Sequence, residues 1–334
     1  MRGTSIFAVE KDCVLLGDNP ENYRISDIAI TGEAGECIWK PQSLAVNVSH
    51  PGSDLFFGAL AQQYSQWGVD FLKNDCVFGI HDFIPDNIHS LAKSIQRLPK
   101  PITYSLSPGA TTDIDQEVLN AEIIASDVNM YRITGDDWDD WGDIDPDHFD
   151  AAAAMSSLIA VEGLGGKESF PDLDMLPLGR VSIPGDDDKS RTPFRASNLT
   201  QAEQKTLMTL WSIARSPLMF GGDATDLNDD NATMELLTHP EILTINQRTK
   251  DNSEVYRDED TRIWSAKGKG VEALYLAIFN TAEEARTVTY NFDGFDKCKI
   301  EDVWANEDLG WVINLISVEV ESHGAVALKL TLCN

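Results

Sequence analysis

The sequence predicts an α/β fold with parallel strands over residues 1–250 and a separate antiparallel β domain over residues 251–334. Three observations carry this reading. From about residue 51 to residue 238, short apolar runs alternate with stretches of helical period, which implies parallel strands joined by right-handed crossovers. After about residue 250 strands follow one another without helices between them, the mark of an antiparallel domain. Charged residues also stand directly past the buried strands, where an α/β barrel places its chemistry.

Taken in order, residues 1–50 show weak periodicity and many turn formers, so they read as a long loop region with extended pieces at 37–39 and 44–48. From Pro51 the pattern turns helical: Asp54 can cap, and Phe56, Leu60, Tyr64 and Trp67 follow at spacings of three and four. A strand at 69–73 precedes a helix near 84–97 that carries Ile84, Ile88, Leu91 and Ile95. Strand 102–106 precedes a helix at 114–124, and strand 128–133 precedes an Ala-rich helix at 147–161. Asp174 to Leu178 reads as a fourth strand. The helix near 200–215 opens with Thr200-Gln201-Ala202-Glu203, a capping box, and carries Leu207, Leu210, Trp211 and Ala214 on one face. Strand 218–220 and a helix near 230–238 complete the alternation. The antiparallel part holds strands at 263–265, 272–280, 286–292, 299–304 and 326–332.

A chain of 334 residues can bury a full core. Its 42% hydrophobic and 24% charged content are globular values. The net charge of −29, from 55 acidic and 26 basic residues, argues against nucleic acid or an anionic membrane as partner, since both need basic patches. It suits a neutral ligand such as a sugar. No apolar stretch approaches the roughly 18–20 residues of a membrane span, and Met1-Arg2-Gly3-Thr4 holds no apolar signal region. Cys13, Cys37, Cys76, Cys298 and Cys333 are odd in number and lack C-x-x-C spacing, so neither a zinc site nor a dense disulfide scaffold follows. Sequons at Asn47, Asn198 and Asn231 arise often by chance and bear only mildly on a secretory history. The six histidines are scattered, with no triad order and no H-E-x-x-H motif.

Three centres could carry chemistry. In the first, the apolar run Gly68-Val69-Asp70-Phe71-Leu72 leads into Lys73-Asn74-Asp75-Cys76. Lys73 and Asp75 alternate and so point the same way. A carboxylate beside a fixed ammonium stays ionised, which suits a nucleophile, although Lys-x-Asp alone also fits a plain strand-end ion pair. The second centre, Arg132 to Trp141, follows a strand and is dense in carboxylates and tryptophans, including Asp136 and Trp138. Indoles stack on the apolar faces of sugars, and carboxylates and arginine bind their hydroxyls. A solvated acidic turn is the plainer reading of any single aspartate there. A calcium loop is rejected, because Trp141 and His148 stand where oxygen ligands belong. The third centre runs from Gly165-Gly166-Lys167-Glu168 to Asp172-Leu173-Asp174, read as two carboxylates two residues apart on a strand; Gly185 to Asp188 reads as a solvated loop.

Together the three centres resemble the melibiase family, glycoside hydrolase family 27. The matching segments are Lys73-Asn74-Asp75-Cys76, Arg132 with Asp136, Asp172 to Leu176, Trp211 to Asp223 and Ile245-Asn246-Gln247. The likeness runs along the whole chain and is strongest to the plant branch of α-galactosidase-like proteins, which includes enzymes of β-L-arabinopyranosides. It implies a (β/α)8 TIM barrel followed by an antiparallel β-sandwich, and a retaining hydrolase of terminal α-D-galactosyl residues. A β-L-arabinopyranosidase and an inactive carbohydrate-binding remnant are the alternatives. Asp75 looks like the nucleophile and Asp136 the acid/base, with carboxyl groups expected about 5–5.5 Å apart. Lys73, Arg132 and Asp172 look like hydroxyl-binding groups, and Cys37 and Cys76 match a family disulfide; Cys13, Cys298 and Cys333 have no assigned partner. Asn74 stands where the family usually has an aromatic, and Ser107 where α-galactosidases usually have a Glu near the sugar's 2-position. Two carboxylates suffice for the chemistry, so neither a metal nor an organic cofactor is implied. The expected compartment is that of secreted family members, the apoplast, cell wall or vacuole, and no oligomeric state follows.

Met1-Arg2-Gly3 resembles the middle of the family's third barrel strand, so roughly the first two β/α units are expected to lie upstream. Exposed sheet edges and a missing wall of the sugar site would leave this chain alone poorly stable and nearly inactive. Upstream residues should restore solubility and turnover of a p-nitrophenyl α-galactoside or β-L-arabinopyranoside. Comparable turnover by the 334-residue chain, abolished by Asp75→Asn, would contradict this expectation.

Overall fold

The backbone of Leu44, Ala45 and Val46 organises the start of the chain, because these residues are buried and their N–H and C=O groups need partners. They belong to β4 (Lys40–Val46), on which β1 (Thr4–Ser5), β2 (Ala29–Ile30) and β3 (Glu36–Cys37) all pair antiparallel. Helices α1 (Ile6–Glu10) and α2 (Ile25–Ile28) lie between β1 and β2 in sequence. The long loop expected over 1–50 is therefore a small antiparallel sheet with two helical turns. Strands β1, β2 and β3 hold two residues each, too few for alternation to show, and β4 buries its last four residues in a row instead of alternating.

The computed structural model describes residues 3–78, 83–108, 120–156, 169–182, 195–225, 227–292 and 297–334. Its chain forms two compact units, Met1–Gly135 with Gly163–Phe170, and Asp136–Glu162 with Pro171–Asn334.

In the first unit, α3 (Gly52–Gln66) begins where Pro51 predicts it. It buries Gly52, Ser53, Phe57 and Ala61, however, and leaves Trp67 69% exposed. The stripe expected along Phe56, Leu60, Tyr64 and Trp67 is not the one used. Apolar residues at 55–57 and 59–61 nearly encircle this helix, so periodicity cannot select a face. Helix α4 (Pro85–Gln96) buries Ile88, Leu91 and Ile95 as expected, with Ile84 as its N-cap. It also buries Asn87, whose Oδ1 accepts from Val46 N and whose Nδ2 donates to Val46 O, both at 2.8 Å. That one amide completes the β4 backbone as a strand would.

Three parallel strands follow: β5 (Phe71–Phe78), β6 (Thr103–Pro108) and β7 (Met130–Arg132), neighbours in that order. Phe170 N, at the start of β8 (Phe170–Asp172), donates to Asn129 O at 2.9 Å. Residues 120–124 are helical, as expected; residues 114–119 and 157–161 of the expected helices, like Gly165–Glu168 and Gly185–Asp188, lie outside the described residues.

The second unit contains α5 (Trp141–Ile144), α6 (Asp147–Ala154), β9 (Met175–Leu176), β10 (Arg180–Val181), β11 (Arg195–Ala196) and α7 (Gln201–Ile213). The capping box at α7 forms: Thr200 N donates to Glu203 Oε2 at 2.6 Å, and Glu203 N donates to Thr200 Oγ1 at 3.2 Å. Next comes β12 (Met219–Phe220), parallel to β9, then α8 (Asn231–Thr238) and α9 (Pro240–Gln247). Helix α9 was not foreseen, because Pro240 falls at its first position and reads equally as a break.

The last eight strands are all antiparallel: β13 (Thr249–Arg257), β14 (Thr261–Gly268), β15 (Ala273–Asn280), β16 (Arg286–Asn291), β17 (Cys298–Asp302), β18 (Glu307–Val312), β19 (Leu315–Val320) and β20 (Ala325–Thr331). Six pair in the order β13-β14-β15-β20-β17-β18, and β16 pairs with β19. Ile278, Ile300 and Leu328 of the larger sheet share one core with Val288, Ile316 and Val320 of the smaller, which makes a sandwich. Strands β13, β18 and β19 were not foreseen: most residues of β13 and β18 face solvent, whereas Ile316, Val318 and Val320 of β19 alternate with exposed Ser317 and Glu319, a period-two signal that the sequence reading missed.

Glu241 ties α9 to this sandwich, accepting from Tyr275 Oη at 2.6 Å and pairing with Lys329 Nζ at 2.8 Å. Burial alone would raise its carboxyl, but the hydrogen bonds and charge from Lys329 and the Tyr275 hydroxyl hold it below the usual 4.5. Its stabilisation is therefore fully present above that value and is lost as the pH falls through the lowered folded value. Glu241→Gln should lower the melting temperature at pH 7, with the deficit shrinking below about pH 4.5. A deficit independent of pH would contradict the ionic role.

Candidate active site

Regular pairing places the first group of expected site residues at the C-terminal ends of the parallel strands. Lys73 pairs with Ser105, and Ser105 with Met130, in one row across the sheet. Side chains repeat every two residues, so Ser107 and Arg132 stand in the next row on that face, and Asp75 follows Lys73 on the same side. Lys73 is exposed and Asp75 half-buried, while Asn74 and Cys76 between and beyond them are buried. Ser107 and Arg132 are buried too, and Arg132 Nε donates to Thr134 O at 3.2 Å.

The β5–β6 register breaks after Asn74. Cys76 takes φ +64°, unusual for a residue with a side chain, and is bonded to Cys37 with Cα atoms 6.0 Å apart. Its N–H donates to Asp75 Oδ1 at 3.0 Å. Asn74 Nδ2 donates to the hydroxyl of Tyr104 at 2.9 Å, and burial pushes that phenol up, so it stays protonated.

The second unit holds Asp136, Trp138 and Asp172. Its centre is the backbone turn at Asp174, which has φ +81°. Asp174 N donates to Asp172 Oδ1 at 2.9 Å, Asp174 Oδ2 accepts from Asp137 N at 2.8 Å, and Asp174 O accepts from Trp211 Nε1 at 2.9 Å. Leu173 N donates to Ser216 Oγ at 2.9 Å. Asp172 and Asp174 are thus joined by an Asx-type turn and do not share a strand, which corrects the reading of 174–178; β8 ends at Asp172 and β9 starts at Met175. The turn draws the acidic segment and Asp172 together, one residue from Asp136.

The acidic segment is no uniform solvated loop. Asp136 and Asp140 are exposed and Trp138 half-buried, whereas Asp137 and Asp139 are buried. Asp139 takes two hydrogen bonds from the Arg195 guanidinium, one of 3.0 Å at Nη2, and another from Asn198 N at 2.7 Å. Burial would raise the Asp139 carboxyl, but these bonds and the guanidinium charge hold it below the usual range. Asp140 caps α5 through Gly142 N. Sequence reasoning missed Tyr104, Asp174, Ser216 and Arg195 as supports, since each lies far along the chain from the group it holds.

A family model described as "Alpha galactosidase A" matches residues 37–248, and one described as "Alpha galactosidase C-terminal beta sandwich domain" matches residues 258–330. The chain belongs to the melibiase family, glycoside hydrolase family 27, and its fold class is the one the family implies, a (β/α) barrel followed by an antiparallel β-sandwich. A GH27 β-L-arabinopyranosidase from Geobacillus stearothermophilus, solved with arabinose, is 32% identical with a TM-score of 0.86, over 99% of this chain and 73% of that one. α-Galactosidase I of Mortierella vinacea shares the fold, with a TM-score of 0.66 and 20% identity over 89% of this chain and 74% of its own. The α-galactosidase of Cyamopsis tetragonoloba is 23% identical over 279 residues, and α-galactosidase 3 of Arabidopsis thaliana 24% identical over 273. The matches cover 81% and 78% of this chain, but only 60% and 54% of those relatives.

A second disulfide joins Cys298 to Cys333, with Cα atoms 4.2 Å apart, and Cys13 is an exposed thiol. The pairing of Cys298 with Cys333 was not legible because it depends on β17 lying beside β20. Thiol titration of the unreduced, denatured protein should give one reactive group per chain, rising to five after reduction. Five before reduction would contradict both bridges.

Proposed function

We propose that the chain carries the catalytic machinery of a retaining glycosidase that acts on sugars of galactose ring configuration. The observation that carries this reading is the irregular stretch of β5 that begins after Asn74. There a half-exposed Asp75 follows an exposed Lys73, and the next residue is clamped by a disulfide. Asp75 attacks the anomeric carbon while Asp136 protonates the departing glycosidic oxygen, leaving a glycosyl ester on Asp75. Water then attacks that carbon, Asp136 takes its proton, and Asp75 leaves as a carboxylate. Lys73, Arg132 and Asp172 hold sugar hydroxyls, with Ser107 near the 2-position and Trp138 as an apolar surface for the ring. Residues 1–250 form the catalytic part and 251–334 the β domain.

A terminal β-L-arabinopyranoside is the second reading, favoured by the 32% identity to an arabinopyranosidase. That sugar has the galactose ring stereochemistry without the hydroxymethyl arm. The two disulfides fit an oxidising, secretory or extracellular setting, and among the described residues no helix is long and apolar enough to cross a membrane.

The test is hydrolysis of p-nitrophenyl α-galactoside and β-L-arabinopyranoside by the full-length protein, with the anomer of the first product read by NMR. Retention is expected, and Asp75→Asn should lower kcat by at least about a thousandfold. Inversion, or turnover that survives Asp75→Asn, would overturn the proposal.

A further inference from the structure

We propose that Asn74 and Tyr104 form a positioning pair that fixes the Asp75 carboxylate; this rests on the reading of Asp75 as nucleophile. Asn74 is the last residue of β5 in regular register with β6, and Asp75 is the first beyond it. A strand buried on this face ordinarily presents an apolar side chain. Here the position carries an amide only 7% exposed, and its Nδ2 lies 2.9 Å from the hydroxyl of Tyr104, itself 2% exposed. Neither group has water to fall back on, so the bond holds strongly to one geometry.

Tyr104 is itself fixed. Its backbone N donates to Asn129 Oδ1 at 2.9 Å, and its carbonyl accepts from Asn129 N at 2.8 Å. Asn129 O accepts in turn from Phe170 N at 2.9 Å. The Asn74 amide is therefore anchored to a ladder that ties β5, β6, β7 and the first residue of β8. On its other side Asp75 meets Cys76, which has φ +64° and is bonded to Cys37; the Cys76 N–H donates to Asp75 Oδ1. Asp75 is pinned at both neighbours, by a hydrogen bond before it and a covalent bond after it. A nucleophile displaced by about 1 Å loses on the order of a hundredfold in rate.

Three variants of the full-length protein test this: Tyr104→Phe, Asn74→Leu and the double variant. Each single change orphans a buried polar group and should lower both melting temperature and kcat, the latter about tenfold to a hundredfold with KM within about threefold. In the double variant both partners are apolar, so the melting temperature should recover while kcat stays low. A purely structural pair would restore kcat together with the melting temperature, and that result, or kcat within twofold of the parent in all three, would overturn the inference. Asp75→Asn, measured alongside, separates the two readings. Activity that survives Asp75→Asn, or no turnover by the parent, removes the nucleophile and this inference with it. Loss at Asp75→Asn with unimpaired pair variants removes the inference alone.

Discussion

The register shift in β5 after Asn74 is the constraint on which the proposed chemistry depends. A strand that stayed in register would keep every second side chain packed against its neighbour. Here the register shifts between Asn74 and Phe78, which pairs with Pro108, and the left-handed conformation at Cys76 falls inside that irregular stretch. Such a conformation is disfavoured for a residue with a Cβ and persists only where surrounding structure enforces it. The Cys37–Cys76 bond supplies that enforcement. It closes a loop of 39 residues, for which chain entropy alone gives about 4 kcal/mol. Glycine would reach the same φ without strain but could not be bonded to β3.

The second unit solves a parallel problem without a covalent bond. Asp174 also has positive φ, and its backbone and side chain are claimed at three points by Asp172, Asp137 and Trp211. Trp211 is fully buried in α7, whose start is set by the Thr200–Glu203 capping box. His323 adds to that end of α7, with Nδ1 2.7 Å from Glu203 Oε1 and its ring stacked on Trp141 at 4.4 Å. A helix placed by its cap thus holds a turn, and the turn holds the backbone beside Asp136. Buried carboxylates serve here as struts: Asp139 and Asp174 take hydrogen bonds from neighbouring backbone and from Arg195, whereas Asp136 beside them is exposed.

Much of this was legible in the sequence, and the omissions share a cause. Parallel strands and the helices α4 and α7 could be read because their periods and caps are local signals. The alternation of Lys73 and Asp75 also sufficed to set both on one face. The small sheet around β4 could not be read, since strands of two residues carry no period. Helix α3 was found but its buried face was not, because apolar residues surround it. The sequence pattern also treated the aspartates of 136–140 alike, whereas their burial is decided by Arg195 and Asp174, dozens of residues away. Cys298 and Cys333 became partners only through the order of strands in a sheet. Family resemblance named candidate site residues that single-sequence physics had not separated from ordinary surface charge, but it did not name what holds them in place.

In the proposed mechanism Asp75 is the group that becomes covalently bound to the sugar. The most direct measurement is mechanism-based labelling of the full-length protein with a galactose-configured cyclitol epoxide, followed by peptide mass spectrometry. Attack on the epoxide carbon opens the ring and leaves an ester on the attacking carboxylate. The predicted result is one label per chain, on the peptide containing Lys73 to Cys76 and at Asp75, with labelling slowed by free arabinose or galactose. A label at Asp136, Asp172 or any other carboxylate in preference to Asp75, in protein shown to hydrolyse its substrate, would contradict the role of Asp75 as nucleophile.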